Sequence, residues 1–377
     1  MFDRSILLED AIKGIELSPT MKKNAIDKYN AISTYLDDNN IKADFYPQGS
    51  FLFGTVIRPY REGKDHNYDL DILCILDEDK KNTTPNAVKN SVGDCLKNNK
   101  IYLDKLKKED KNCWTLEYAE IADGVGFSLD LVPSVHEEFI NKQALINLGV
   151  ESDEVGKLCS ITNKNNIGYD WLMSNPLGYG KWFKKISDKF LSVSMIQNQK
   201  QNLYENFSAI FEKAEEIPDF YYKSNLQRAV QILKRTRDIY YDRAGLKNMK
   251  PSSIALTTLV ADCVKDHQDL SVEEIIKLFI VNFKNREISC ICDSKIVNPA
   301  NPNDNFANNW STKNWGLMNK WLRQLDEYIL IPLDENLLNS NINNFFDLND
   351  YEDNKSNVVK KHIIPIKPIV PTKHWGL

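Results

Sequence analysis

The chain has 377 residues, 42% of them hydrophobic and 27% charged, an ordinary water-soluble composition with enough length for two or more lobes. Its net charge of −5 excludes a global nucleic-acid footprint, so an anion site has to come from a local cluster, and neither a long nucleic acid nor a membrane is expected as a partner. No apolar run approaches the ~20 residues of a membrane span, and the seven cysteines are scattered, with Cys290 and Cys292 lacking a zinc-site spacing, which suits a reducing, cytoplasmic setting.

In chain order, residues 6–38 carry apolar side chains at three- and four-residue spacing, among them Ile12, Ile15, Met21, Ile26, Tyr29 and Leu36. Ser18-Pro19-Thr20 interrupts them, and proline fits a first helical turn, so a short helix followed by a long one is predicted. Gln48-Gly49-Ser50 then reads as a turn, followed by the arm Gly54-Thr55-Val56-Ile57-Arg58-Pro59 and a polar turn over Arg61–Asn67. Arg58 is expected to fix the arm.

Tyr68-Asp69-Leu70-Asp71 leads into the apolar run Ile72–Leu76, which predicts a buried strand. Strand alternation points Asp69 and Asp71 to one face, where they repel unless a cation or water lies between them. A Gly-Ser turn nearby offers backbone N–H groups and a hydroxyl to a phosphate, so a magnesium–nucleotide site is suggested. Residues 85–107 return to helical spacing, and Trp114–Tyr118 alternates as a strand. Gly126–Val132 reads as another strand, closed by Pro133, with Ser128, Asp130 and Val132 on one face. An acid inside an apolar strand is costly unless paired. If this strand neighbours the first, Asp130 joins Asp69 and Asp71.

From about residue 200 the chain reads as mostly helical. Over 221–250 eight basic residues stand against two acids, a surplus that fits a polyphosphate partner. Leu226, Ala229, Val230 and Leu233 form the expected buried stripe, with Lys234, Arg237 and Tyr241 on an adjacent face; Arg235 and Arg237 are expected to be solvated or structural. Lys250-Pro251-Ser252-Ser253 opens a helix over 254–264 with an anion-friendly start. Further helices are predicted at 272–285 and 313–330, with a loop at 298–305 between them. Pro365, Pro368 and Pro371 recur in a polyproline II repeat near the end.

Gln48-Gly49-Ser50, the 54–59 arm, Asp69-Leu70-Asp71 and Asp130 resemble the signature of the polymerase-β-like nucleotidyltransferases. Ser174-Asn175-Pro176, Leu233-Lys234-Arg235, Lys250-Pro251-Ser252-Ser253 and Asn298-Pro299 followed by Trp310 narrow the resemblance to the bacterial CD-NTases. These are relatives of cyclic GMP-AMP synthase that make cyclic oligonucleotide signals in anti-phage (CBASS) defence. The resemblance implies an α/β (α+β) fold: a nucleotidyltransferase core with a mixed sheet and a bracing N-terminal helix (1–190), a helical lobe (191–345) and an extended tail (346–377), with the site between the lobes. It further implies a template-independent nucleotidyltransferase that joins NTPs (ATP, GTP, UTP and CTP as candidates) into a cyclic di- or trinucleotide and releases pyrophosphate. Asp69, Asp71 and Asp130 would hold two Mg2+ ions, with Mn2+ able to substitute. Gln48, Gly49, Ser50, Lys234 and Ser253 would meet the triphosphate. The tail is an expected recognition segment for an accessory conjugating protein. Two alternatives stand beside this reading: transfer to RNA ends or a small molecule, and an inactive fold used as a binding module.

Overall fold

The computed structural model describes residues 4–122, 125–191, 223–284, 295–331 and 334–348. The Pro-rich tail, Cys290 and Cys292, and the helical expectation for 200–222 lie outside them.

The N-terminal segment forms α1 (Arg4–Ile15) and α2 (Pro19–Asp38). The break falls where proline predicts it: the Ser18 hydroxyl accepts the Met21 N–H at 3.2 Å and Pro19 occupies the first turn. Next come β1 (Ala43–Gln48), the one-turn helix α3 (Gly49–Leu52), the small hairpin β2 (Tyr60–Arg61) and β3 (Lys64–Asp65), and β4 (Tyr68–Leu76). Helices α4 (Pro85–Lys97) and α5 (Lys100–Leu103) split the single helical stretch expected there, because Asn99 caps α5 by accepting the Ile101 N–H. Strands β5 (Trp114–Ala122) and β6 (Val125–His136), α6 (Phe139–Asn147), β7 (Cys159–Lys164), β8 (Tyr169–Ser174) and α7 (Pro176–Ser187) complete the first part.

The sheet runs β1-β4-β6-β7-β8, with β5 also paired to β6. Among the described residues only β4 and β6 pair in parallel in this sheet, so it is mixed as expected. Pro133 does not close β6 but sits inside it; the neighbouring Ser134 hydroxyl donates to the Cys74 carbonyl at 3.0 Å, supplying a donor where proline has none. Gly49-Ser50 is likewise the start of α3 rather than a free turn.

The second part comprises α8 (Asn225–Arg243), α9 (Ser253–Val264), α10 (Val272–Lys284), the hairpin β9 (Val297–Asn298) and β10 (Asn301–Asn305), α11 (Thr312–Leu325) and α12 (Glu335–Phe346). The hairpin replaces the loop expected at 298–305; its strands are polar and Asn-rich, so no alternation betrays them. Two main cores result. One packs α2 and α4 on the sheet; the other gathers α1, α7 and the helices from α8 onward. Helix α8 is the axis of the second core: from Leu226 to Tyr241 every residue except Arg228 is buried. The adjacent polar face expected for it is therefore interior. Among the described residues no helix is long and apolar enough to cross a membrane.

Candidate active site

Parallel register carries the acids together. Asp71 on β4 lies beside Asp130 on β6, and Asp69 beside Ser128. Alternation leaves all four on one face, while Leu70, Ile72, Leu129 and Leu131 are wholly buried on the other. Asp71 and Asp130 are half-buried and Asp69 is exposed. Burial first, then the negative charges of Asp130 and Asp69, push the Asp71 carboxyl up to about 7, against a smaller opposing pull from Lys234. Burial also raises Asp130, partly offset by the Thr115 hydroxyl, which donates to Asp130 Oδ1 at 2.5 Å. Ser128 donates to Asp69. Asp71 and Asp130, raised by burial and by neighbouring negative charge, belong to an oxygen donor set short of a cation, which fits hard divalent ions. A tighter acidic group, Glu151, Asp153 and Glu154, lies elsewhere, and the Lys185 ammonium already pairs with all three.

Gly49 sits against this wall. Register pairs its neighbour Gln48 with Asp71, and Gly49 has φ +62°, a conformation side chains resist. A Cβ there would stand 2.6 Å from Asp71 Oδ2. The close approach of backbone to carboxylate thus requires glycine.

The opposite wall is built by α8 and the 54–59 arm. Polar side chains spaced along the helix bind carbonyls of the arm and of the residue before it: Gln227 donates to Phe53 O (2.8 Å), Gln231 to Val56 O (2.9 Å), Lys234 to Thr55 O (2.9 Å) and Arg235 to Arg58 O (3.1 Å). Arg58 fixes the arm from the other side, donating to Gly14 O and pairing with Asp65 at 3.0 Å. Lys234 is buried, and burial followed by the like charge of Arg237 brings its ammonium down to about 7, while Asp238 and Asp71 act the other way. Between the walls lies a cavity of about 320 Å³ lined by Gly49, Ser50, Asp69, Asp71, Lys234 and Ser253, among others.

Most of the basic surplus is already paired with acids of the chain, partly buried for Lys223 and Arg235 and exposed for Arg228 and Lys247. Lys223 pairs with Glu16, Arg228 with Glu9, Arg235 with Asp65, and Lys247 with Glu62. Arg237 and Lys250 border the cavity but both grip Asp238, at 2.7 and 2.9 Å. Ser252, not Ser253, caps α9 by accepting the Ala255 N–H; the Ser253 hydroxyl instead accepts from Arg237 at 3.3 Å. Arg61, Asp238 and Lys250 line the cavity without having been singled out as site residues, because their position depends on tertiary packing. Thr115 was legible in principle, since the strand period puts it on the acid-bearing face once β5 is known to pair with β6.

Residues 43–130 match the family model described as cyclic GMP-AMP synthase DncV-like, nucleotidyltransferase domain. The chain is 30% identical over 318 residues to the c-di-GMP synthase of Roseivirga ehrenbergii, spanning 81% of this chain and 74% of that relative. The chain is a CD-NTase. Solved structures that share its fold include two CD-NTases with bound nucleotides. The Bradyrhizobium diazoefficiens CD-NTase CdnG, in complex with GTP, superposes with a TM-score of 0.62 at 21% identity, over 86% of this chain and 90% of that one. The Rhodothermus marinus CdnE c-UMP-AMP synthase, with Apcpp and Upnpp, gives 0.50 at 14% identity, over 86% and 96%. As a CD-NTase the protein is a nucleotidyltransferase enzyme, a cyclic oligonucleotide synthase; the inactive-module alternative falls away.

Proposed function

We propose that this CD-NTase joins two molecules of GTP into cyclic di-GMP at the cleft between the carboxylate face and α8. The observation that carries the proposal is the register pairing of Asp71 with Asp130, with Gly49 against Asp71 and Lys234 across the cavity. The named activity of the Roseivirga relative supports guanine as the base. In each of two steps a ribose hydroxyl oxygen bonds to the α-phosphorus of the other nucleotide, the bond to the β-phosphate oxygen breaks, and pyrophosphate leaves. When bound, two Mg2+ ions would neutralise the phosphate oxygens and make the hydroxyl more acidic. Asp69 and Asp71 would hold the ion that faces the triphosphate, and all three acids the one that faces the hydroxyl. The Asp130 carboxylate, facing the attacking hydroxyl, acts as the base that takes its proton. Gln48, Gly49, Ser50, Lys234 and Ser253 receive the outgoing β- and γ-phosphates, the two cleft walls holding them in line with the attacking oxygen.

Incubation with Mg2+ and each NTP singly and mixed, followed by phosphatase treatment and mass spectrometry, tests the reading. Cyclic di-GMP from GTP alone is expected, with none from an Asp69→Ala/Asp71→Ala double variant. A requirement for added RNA or a small acceptor would favour the alternative transferase, and a mixed-base ring would overturn the guanine assignment. Family membership also supports an anti-phage signalling role within CBASS. Plaque counts on cells carrying the wild-type gene should fall relative to the double variant; equal counts contradict that role.

A further inference from the structure

On the acid-bearing face of the sheet, strand pairing sets a hydroxyl beside each outer carboxylate. Thr115 on β5 lies opposite Asp130, and Ser128 on β6 lies beside Asp69. An aspartate carboxylate has a broad, two-fold terminal torsion, so among repelling neighbours its plane is set only if a donor fixes one oxygen. Thr115 is suited to that task because its branched Cβ leaves few χ1 states, and its hydroxyl meets Asp130 Oδ1 at 2.5 Å.

The support behind Thr115 is unusually firm. Cys113 Sγ lies 3.7 Å from Thr115 Oγ1. Burial raises that thiol to about 12, so it stays protonated and has a hydrogen to offer the Thr115 oxygen. Lys89, with no exposed surface, donates to the carbonyls of Asp110 (3.1 Å), Lys111 (3.4 Å) and Cys113 (3.1 Å). A fully buried ammonium is costly unless its donors are used, and here three carbonyls of one short segment use them, at the entry to β5. Bracing therefore runs from Lys89 through the 110–113 backbone to Thr115 and on to Asp130.

We infer that Thr115 and Ser128 are positioning residues that orient Asp130 and Asp69 for divalent-cation binding, each fixing one carboxylate oxygen and leaving the other for the ion. The inference rests on the proposed metal-binding role of the three acids. Partners of this kind contribute about 10- to 100-fold to metal affinity.

The test uses the full chain and Mn2+ alone, with free ion read by its EPR signal, alongside the metal dependence of pyrophosphate release. Thr115→Val should weaken Mn2+ binding about 10-fold or more and raise the half-maximal metal concentration by a similar factor. The KM for nucleotide at saturating metal should not move. Thr115→Ser, which keeps the hydroxyl, should restore both. A merely structural threonine would lower Tm without shifting the metal curve. Wild-type Mn2+ binding in Thr115→Val overturns the inference. Should that variant not fold, Ser128→Ala is read the same way for Asp69. Asp71→Asn separates the two readings: if it too binds Mn2+ as wild type, the metal assignment has failed; if it loses binding while Thr115→Val and Ser128→Ala do not, only the positioning role has.

Discussion

The two walls of the cleft are built by opposite means. The carboxylate wall is one face of a sheet, where neighbouring strands put Asp69, Asp71 and Asp130 side by side and leave their charges unneutralised by the protein. The α8 wall is rich in cations, yet most are matched by an acid of the chain, Lys223, Arg228 and Arg235 by acids of distant segments and Arg237 by its neighbour Asp238. Charge left unmatched on one wall marks where a ligand belongs, whereas matched charge on the other marks how the lobes are joined. Substitutions on the first wall should therefore cost activity and on the second stability, with Lys234 as the exception.

The largest effect is expected at Asp71. Asp71→Asn removes a ligand worth several kcal/mol of charge stabilisation, about 10³-fold or more in kcat/KM. Its Tm should hold or rise, since a half-buried like charge disappears. Gly49→Ala should come next. The +62° φ and the 2.6 Å approach to Asp71 Oδ2 combine ~1–2 kcal/mol of backbone strain with a displaced carboxylate, for a loss of about 10²-fold in kcat.

Lys234→Met tests the exception. Loss of a charge-assisted bond of ~1.5–3 kcal/mol should lower kcat/KM for GTP by about 10- to 100-fold. An unchanged KM and kcat would return Lys234 to the structural set, holding only Thr55 O.

The smallest effect belongs to Glu16. Burial raises its carboxyl, but Lys223 and Gln231 outweigh this and leave it below the usual 4.5. The pair's contribution is thus complete above that value and is lost as pH falls through the lower folded-state pKa. Because the pair is partly solvated, the difference should be about 1 kcal/mol or less. Glu16→Gln should flatten the acid limb of the stability–pH curve; an unchanged limb would make the pair inert.

The sequence exposed the carboxylate wall because its information is local. A period of two and an acid inside an apolar strand sufficed to align Asp69, Asp71 and Asp130 once β4 and β6 were taken as neighbours. The α2 start was readable for the same reason, from Ser18 and Pro19. The basic surplus over 221–250 read as fitting a polyphosphate partner because the partners of four of its cations, Glu9, Glu16, Glu62 and Asp65, lie 170 residues or more upstream. The amphipathic pattern of α1 showed that it is buried but not that it joins the helical core. Pro133 and the Asn-rich hairpin at 297–305 escaped because strand membership there depends on tertiary context rather than on propensity.

The contrast between the walls reduces to one paired measurement: pyrophosphate release from GTP per folded molecule, together with Tm, for Asp71→Asn and Arg235→Met. Arg235 is buried against Asp65 (2.6 Å), Phe346 O (2.9 Å) and Arg58 O (3.1 Å) and does not line the cavity. Breaking such a pair costs ~3–5 kcal/mol of stability. The expected result is near-abolished turnover at wild-type Tm for Asp71→Asn, and wild-type turnover at a much lower Tm for Arg235→Met. Equal loss of turnover per folded molecule in both variants would contradict the division of the cleft into a chemical wall and a structural one.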